Sequence, residues 1–263
     1  VSSARSWRRI ALLGVEIDAV REAQCVEHVL QELAAGRGGW VVTPNLDHLR
    51  RLVNEQSYRE LCAGADLFVA DGMPLVWASR LQGTPLPERV AGSDLITSLT
   101  QGAARAHRSI FLLGGDPGTA EAAGRILVQR NPGLVVRGTA CPAPGFERDE
   151  LALRALRTQL AEAQPDIVYV ALGSPKQERL IVELRQLLPR AWWLGVGISF
   201  SFVTGDVKRA SPLVRRLGLE WLHRLVQEPR RLFKRYLVHG IPFAVRLLWS
   251  SLWSRRRLAA GAR

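Results

Sequence analysis

The chain has 263 residues, 47% of them hydrophobic and 23% charged, which suits one large α/β domain with an appendage and is too short for two full nucleotide-binding domains. Residues 1–207 hold 22 Lys and Arg against 22 Asp and Glu, and residues 208–263 hold 14 against 2; the latter difference is the whole net charge of +12, so a neutral body carries a cationic tail suited to a polyanionic partner. Three separated cysteines (Cys25, Cys62, Cys141) with no CxxC pair exclude a disulfide framework and read as core fillers in a reducing compartment, and the start VSSARSWRRIALLGV lacks the apolar run and cleavage site of a secretory signal.

Residues 10–18 (IALLGVEID) read as a first strand and turn, and Ala19 to about Ala35 as a helix with Val26, Val29, Leu30 and Leu33 on one face. Trp40–Thr43 is a short strand that Pro44-Asn45 ends, before a helix over Leu46–Asn54. From local chemistry Asn45 is a turn former and helix N-cap, and His48, one turn into that helix, is a packing residue or a support for the residues that meet a ligand. Leu67–Ala70 is a continuous apolar run of the kind buried in a parallel sheet, and it stops at Asp71-Gly72. Pro74 suits a helix first turn, Leu75–Leu81 reads as that helix, and Gly83 as its C-terminal cap. Asp71 therefore sits where a buried strand gives way to a helix, the edge at which open α/β sheets bind ligands.

Ser109–Leu113 is the clearest strand, Gly114-Gly115-Asp116-Pro117-Gly118 the clearest loop, and Thr119–Gln129 with Leu134–Val136 completes a βαβ unit. Gly114 and Gly115 before a helix let backbone N–H groups approach a phosphate, although the stretch supplies no GxGxxG. Cys141–Phe146 is an irregular loop and Leu151–Ala163 a helix. A second βα unit runs from the strand Asp166–Leu172 through the loop Gly173–Glu178 to a helix over Arg179–Leu188. Trp192–Gly197 is a further strand-to-loop exit, continued by apolar Ile198–Phe202. Ile241–Trp253 is apolar and aromatic but interrupted by Pro242 and Arg246. It is shorter than the ~20 residues of a membrane span and suits an interfacial amphipathic helix.

Several of these stretches together resemble the WecG/TagA/CpsF family of bacterial glycosyltransferases over roughly residues 10–237. The matching features are Thr43-Pro44-Asn45, Asp71-Gly72 after a strand, Glu88-Arg89-Val90-Ala91-Gly92-Ser93-Asp94, and Gly173-Ser174-Pro175-Lys176-Gln177-Glu178. Gly195–Gly205 matches as well, with Ser201 where the family usually has an aspartate, as does the basic run through Arg231-Leu232-Phe233-Lys234-Arg235-Tyr236-Leu237. The expected fold is a Rossmann-like, mainly parallel α/β sheet with helices on both faces: a catalytic body over 1–207 and a basic, aromatic-rich, membrane-associating appendage over 208–263.

The resemblance implies inverting transfer of a hexose, glucose or N-acetylmannosamine, from a UDP-sugar to a polyprenyl-diphosphate-linked sugar in cell-surface polysaccharide synthesis. The enzyme would be peripheral at the cytoplasmic face of the inner membrane, with the membrane surface as a partner and homo-oligomers left open. That chemistry needs a base for the acceptor hydroxyl and positive charge on the departing diphosphate. Asp71 is the candidate base, with Asn45, Arg89 and Gln177 beside it in the catalytic set. Thr43, Gly72, Gly114, Gly115, Gly173, Pro175, Lys176, Glu178 and Gly197 are candidates for the donor, and Arg224, Arg230, Arg231 and Arg235 for the acceptor diphosphate and membrane. No DxD occurs, so no metal is assigned, and no cofactor is expected. The competing class is a nucleic-acid-binding protein whose tail aromatics (Trp221, Phe233, Tyr236) stack on bases. A dinucleotide-dependent oxidoreductase is disfavoured by the missing GxGxxG.

Overall fold

The computed structural model of the chain describes residues 7–211, 214 and 218–261. The opening stretch is a β-hairpin rather than a strand and turn: β1 (Arg9–Leu12) pairs antiparallel with β2 (Val15–Asp18). The turn falls at Leu13-Gly14, where both residues have positive φ. After α1 (Glu22–Ala34), the chain builds a six-stranded, wholly parallel sheet in the order β4-β3-β8-β7-β5-β6. The strands are β3 (Gly39–Val42), β4 (Leu67–Phe68), β5 (Ser109–Gly114), β6 (Val135–Ala140), β7 (Ile167–Ala171) and β8 (Trp192–Gly195). Helices α2 (Leu46–Asn54), α3 (Gln56–Cys62), α4 (Met73–Gln82), α5 (Gly92–Arg105), α6 (Thr119–Arg130), α7 (Glu150–Ala163), α8 (Lys176–Leu184) and α9 (Ser199–Thr204) complete the body.

Strand side chains alternate between the two faces, and both faces are covered, as the continuous apolar runs require. Ile167 and Tyr169 of β7 join Val41, Leu112 and Leu194 in a core closed by α1, α5 and α6. Val168 and Val170 join Trp40, Phe111 and Trp193 on the other face, closed by α3, α7 and α8. The architecture is thus the expected α/β fold with helices on both faces.

The differences lie at the ends of elements. Strand β4 is a two-residue edge strand, but its backbone continues beside β3 through Val69 N–H to Val42 O (3.0 Å) and Asp71 N–H to Pro44 O (2.8 Å). The sheet edge is not left open, because the Asp18 carboxylate of the hairpin accepts from Phe68 N–H at 2.9 Å. Helix α8 begins at Lys176, so Lys176, Gln177 and Glu178 stand on its first turn rather than in the loop, and Ser199–Thr204, read as an apolar continuation, is a helical turn. Helices α3 and α5 occupy stretches to which the sequence reading assigned no element.

The C-terminal segment contains α10 (Glu220–Gln227), α11 (Pro229–Phe233), a π-helical stretch (Lys234–Gly240) and α12 (Ile241–Gly261). Helix α12 lies along α4, and its Phe243 and Leu247 are buried with Ile10, Leu12, Leu49, Leu75, Ala78 and Leu86. Helix α12 therefore covers a core cluster shared by the hairpin, α2 and α4. Replacing Leu247, fully buried, by alanine should cost about 2–5 kcal/mol of unfolding free energy. A urea midpoint equal to that of the parent protein would show that α12 is not packed there.

Candidate functional site

All six strands are parallel, so their carboxyl ends share one edge, and the candidate residues leave that edge in turn. The connection after β5 runs outward to β6 and that after β7 runs back to β8, so the topological switch point lies between these neighbours. Gly114-Gly115 and Gly173 stand there. At ~4.8 Å per strand, β5 is about 19 Å along the edge from β4 and Asp71, a separation that an extended ligand would have to span.

The Asp71 carboxylate follows β4 and precedes Gly72, whose φ of 141° only glycine adopts readily. The turn then enters α4 with Pro74 in its first turn. Burial pushes the Asp71 carboxyl up to about 6; Arg89 opposes that shift, and the nearby carboxylates Glu220 and Asp94 add to it. About 28% of the side chain still faces solvent, so the carboxylate is recessed yet reachable. Arg89 Nη1 lies 3.4 Å from Asp71 Oδ1, and Arg89 Nη2 bonds Asp94 Oδ2 on the first turn of α5. That first turn packs tightly: a Cβ on Gly92 would stand 3.2 Å from both Thr43 Oγ1 and Gly195 O. The spacing of Arg89, Gly92 and Asp94 is explained by this join of α5 to the ends of β3 and β8.

Asn45 is the N-cap of α2, its Oδ1 accepting from Asp47 N–H (3.0 Å) and His48 N–H (3.1 Å). Its carbonyl is thereby committed, and the amide NH2 is the part able to meet a ligand. Because Asp71 N–H bonds Pro44 O, Asn45 and Asp71 leave adjacent strands side by side. Gln177 is also engaged: Nε2 donates to Glu178 Oε1 (3.1 Å), and Oε1 accepts from Gly197 N–H (3.2 Å). A Cβ on Gly195 would meet Gln177 Nε2 at 2.5 Å, so glycine there admits the amide. Gln177 thus holds the Gly195–Gly197 exit of β8 in place. Thr43, His48, Gln177, Glu178 and Gly195 line one small polar cleft between the ends of β3 and β8, with Trp40 and Ile181 beneath. His48 packs as the sequence suggested; its Nδ1 lies 3.4 Å from Thr43 O, and burial lowers its pKa against the pull of Glu178.

The remaining candidates are more dispersed. A Cβ on Gly114 would stand 2.7 Å from Ala171 O, and one on Gly115 would stand 3.1 Å from Phe200. Close packing of β5 on β7 and α9 therefore accounts for these two glycines without a phosphate. Gly173, with φ of 72°, faces open space, and Pro175 precedes the first residue of α8. Lys176 points outward to Glu147 at 3.0 Å. Ser201 is buried in α9. Arg235 lies 3.1 Å from Asp47, Arg224 is half-buried and Arg230 exposed; the Arg231 side chain lies outside the described residues. Arg209 was not singled out from sequence, yet it bonds Asp94 Oδ1 (2.7 Å) and Ser93 Oγ (2.7 Å) and reaches Glu220 at 3.4 Å. The available signals for this network were the aspartate that ends the Glu88–Asp94 run and the stretch Val207-Lys208-Arg209-Ala210-Ser211-Pro212, which also resembles the family. Among the described residues no group of three or more His, Cys, Asp or Glu is placed to hold a metal ion.

The family described as "Glycosyl transferase WecG/TagA/CpsF family" matches residues 10–257. A Bacillus spizizenii protein named "N-acetylglucosaminyldiphosphoundecaprenol N-acetyl-beta-D-mannosaminyltransferase" is 35% identical over 201 residues, covering 76% of this chain and 75% of its own length. A Bacillus subtilis protein of the same name is 32% identical over 200 residues, again covering 76% and 75%.

Proposed function

The chain belongs to the WecG/TagA/CpsF glycosyltransferase family, and from that premise we propose that it moves a hexosyl residue from a UDP-sugar to a polyprenyl-diphosphate-linked sugar, with inversion at the anomeric carbon. The observation that supports this most directly is Asp71: a recessed carboxylate with its pKa raised to about 6, at the carboxyl edge of the sheet, 3.4 Å from an arginine. A base with that pKa is largely ionised at neutral pH and still basic enough to take a proton from an attacking hydroxyl. In this reading Asp71 accepts the acceptor-hydroxyl proton as the oxygen attacks the anomeric carbon, and the bond to the UDP oxygen breaks. The amide NH2 of Asn45 and the hydroxyl of Thr43 orient sugar hydroxyls. Gln177 keeps the Gly197 turn in place.

Charge on the departing diphosphate falls to arginines, whose planar forks suit phosphate oxygens. The reaction is accordingly proposed to proceed without a metal: the rate should stay within about twofold of its starting value in EDTA, and activity lost to EDTA and restored by magnesium or manganese would overturn this part of the proposal. The relatives' names point to an N-acetylmannosaminyl group, so with the UDP-sugar donor proposed above UDP-N-acetylmannosamine is the first donor to test, and UDP-glucose the second, because Ser201 stands where the family usually has an aspartate. The deciding assay incubates the protein with each UDP-sugar and a short-chain lipid-diphosphate N-acetylglucosamine acceptor. Transfer from any UDP-hexose supports the reading, and its absence with all of them overturns it.

Among the described residues no helix is long and apolar enough to cross a membrane. We propose peripheral attachment at the inner face of the membrane through the cationic segment 208–263, whose arginines would supply the positive charge for the lipid diphosphate.

A further inference from the structure

Arg89 and Arg209 form a pair of guanidinium groups beside Asp71, held in register by one carboxylate. Asp94 accepts from Arg89 Nη2 at Oδ2 and from Arg209 Nη1 at Oδ1, so it bridges the two forks. Ser93 adds its hydroxyl to Arg209 at 2.7 Å. The last member of the group comes from the C-terminal segment: Glu220, the first residue of α10, places Oε2 3.7 Å from Arg89 Nη1 and Oε1 3.4 Å from Arg209 Nε. One carboxylate thus spans two arginines as two oxygens of a phosphate would. The approach is built into the chain, because Gly218, two residues earlier, lies against α4; a Cβ there would stand 2.8 Å from Met73 and from the Trp77 ring.

Two features make this carboxylate exchangeable. The contacts of Glu220 are longer than those of Asp94, and α10 contributes no buried residue that would anchor it. Charge works in the same direction. Asp71, Asp94 and Glu220 face Arg89 and Arg209, and Glu22 also lies within electrostatic reach of Arg89 and Asp94, so carboxylates are in excess and the departure of Glu220 removes one negative charge from the face a diphosphate would meet. Without Glu220 the two arginines recover an open face.

We propose that Glu220 is an internal competitor for the diphosphate of a substrate: it occupies the Arg89–Arg209 pair in the resting protein and is displaced when a diphosphate binds there. The proposal rests on the reading above in which Arg89 faces a diphosphate, and it adds Arg209 as the second cation and Glu220 as the group that must leave. It makes anion binding at the site and detachment of α10 from the body one exchange.

The test is the affinity of the full chain for inorganic pyrophosphate and for UDP, by calorimetry, in four proteins: the parent, Glu220→Gln, Arg209→Gln and Arg89→Gln. Glu220→Gln keeps the shape and removes the competing charge, and should tighten binding on the order of three- to tenfold, as expected for loss of a partly exposed ionic competitor. Arg209→Gln should weaken binding, and pyrophosphate should speed amide exchange in residues 220–227 of the parent protein. Unchanged or weaker binding by Glu220→Gln, with Arg89→Gln still weakening it, would overturn the competitor while leaving the arginine reading intact. Binding indifferent to Arg89→Gln would overturn both.

Discussion

Asp71→Asn should lower the transfer rate by about 10²–10⁴-fold, because the amide keeps the shape of the side chain and cannot take the acceptor proton. The variant should still fold, and its stability should report the same carboxylate. In the folded protein the Asp71 carboxyl is pushed up to about 6 from an ordinary value of 3.8. Between those two values the folded chain holds the proton that the unfolded chain releases, so this group's contribution to stability falls as pH rises through that window. The asparagine variant has no such loss. Its stability relative to the parent should therefore improve by about 2–3 kcal/mol between pH 3.5 and pH 8, since one proton held across each pH unit of that window is worth about 1.4 kcal/mol. For the parent enzyme kcat/KM should rise about tenfold per pH unit below 6 and level off above 7, since only the ionised carboxylate acts as a base. Activity of the variant within tenfold of the parent, at equal acceptor affinity, would remove Asp71 from the reaction. A pH–rate curve flat from 5 to 8 would remove its raised pKa.

The residues differ in how much of this could be read before the fold was known. Buried parallel strands declare themselves as short continuous apolar runs, and Ser109–Leu113 and Asp166–Leu172 reappear almost unchanged as β5 and β7. The place of Asp71 was legible because a carboxylate directly after such a run must emerge at the carboxyl edge of the sheet. The hairpin was not, because the turn at Leu13-Gly14 interrupts an otherwise apolar stretch by only two residues. Helix α5 was masked by its start, Gly92-Ser93-Asp94, which looks like loop chemistry and is in fact a close join to Thr43 and Gly195. Gln177 and Glu178 looked like loop residues for the same reason, since Gly173 and Pro175 precede them. The pairing of Arg89 and Arg209 through Asp94 spans more than a hundred residues, and only the fold brings them together. Gly114 and Gly115 show that one residue type can serve two ends: a glycine pair after a strand suggests a phosphate loop, and packing against Ala171 and Phe200 calls for small residues there as well.

Helix α12 should prove to have two faces with separable effects, and the outer one should control membrane binding. Its inner face, Phe243 and Leu247, belongs to the core with α4. Its outer face repeats Ile241, Val245, Trp249 and Leu252 at helical spacing, with Trp253 beside them; Val245 is 61% and Trp249 63% exposed. A stripe of that kind, on a segment that holds the whole net charge, suits insertion into the headgroup region of an anionic bilayer. Burying the exposed parts of Val245, Trp249 and Leu252 would contribute about 1–1.5 kcal/mol each, and each nearby Lys or Arg about 1 kcal/mol at low salt. The triple variant Val245→Ser, Trp249→Ser, Leu252→Ser should therefore bind anionic liposomes about 10²–10³-fold more weakly, while each of the three, being exposed, should cost less stability than the buried Leu247. Leu247→Ala should do the reverse, losing stability while its folded fraction still floats. Binding of the parent should weaken in high salt as the cationic contribution is screened, and the triple variant should lose what remains. The cationic charge would serve nucleic acid as well, so single-stranded DNA belongs in the same experiment. Undiminished flotation of the triple variant would remove α12 from the membrane. Tight DNA binding by a protein that does not float would transfer the tail to the nucleic-acid reading. Flotation that depends on the outer face, with transfer to a water-soluble acceptor retained in the triple variant, would assign α12 to holding the enzyme at the membrane surface and leave the chemistry to the sheet edge around Asp71.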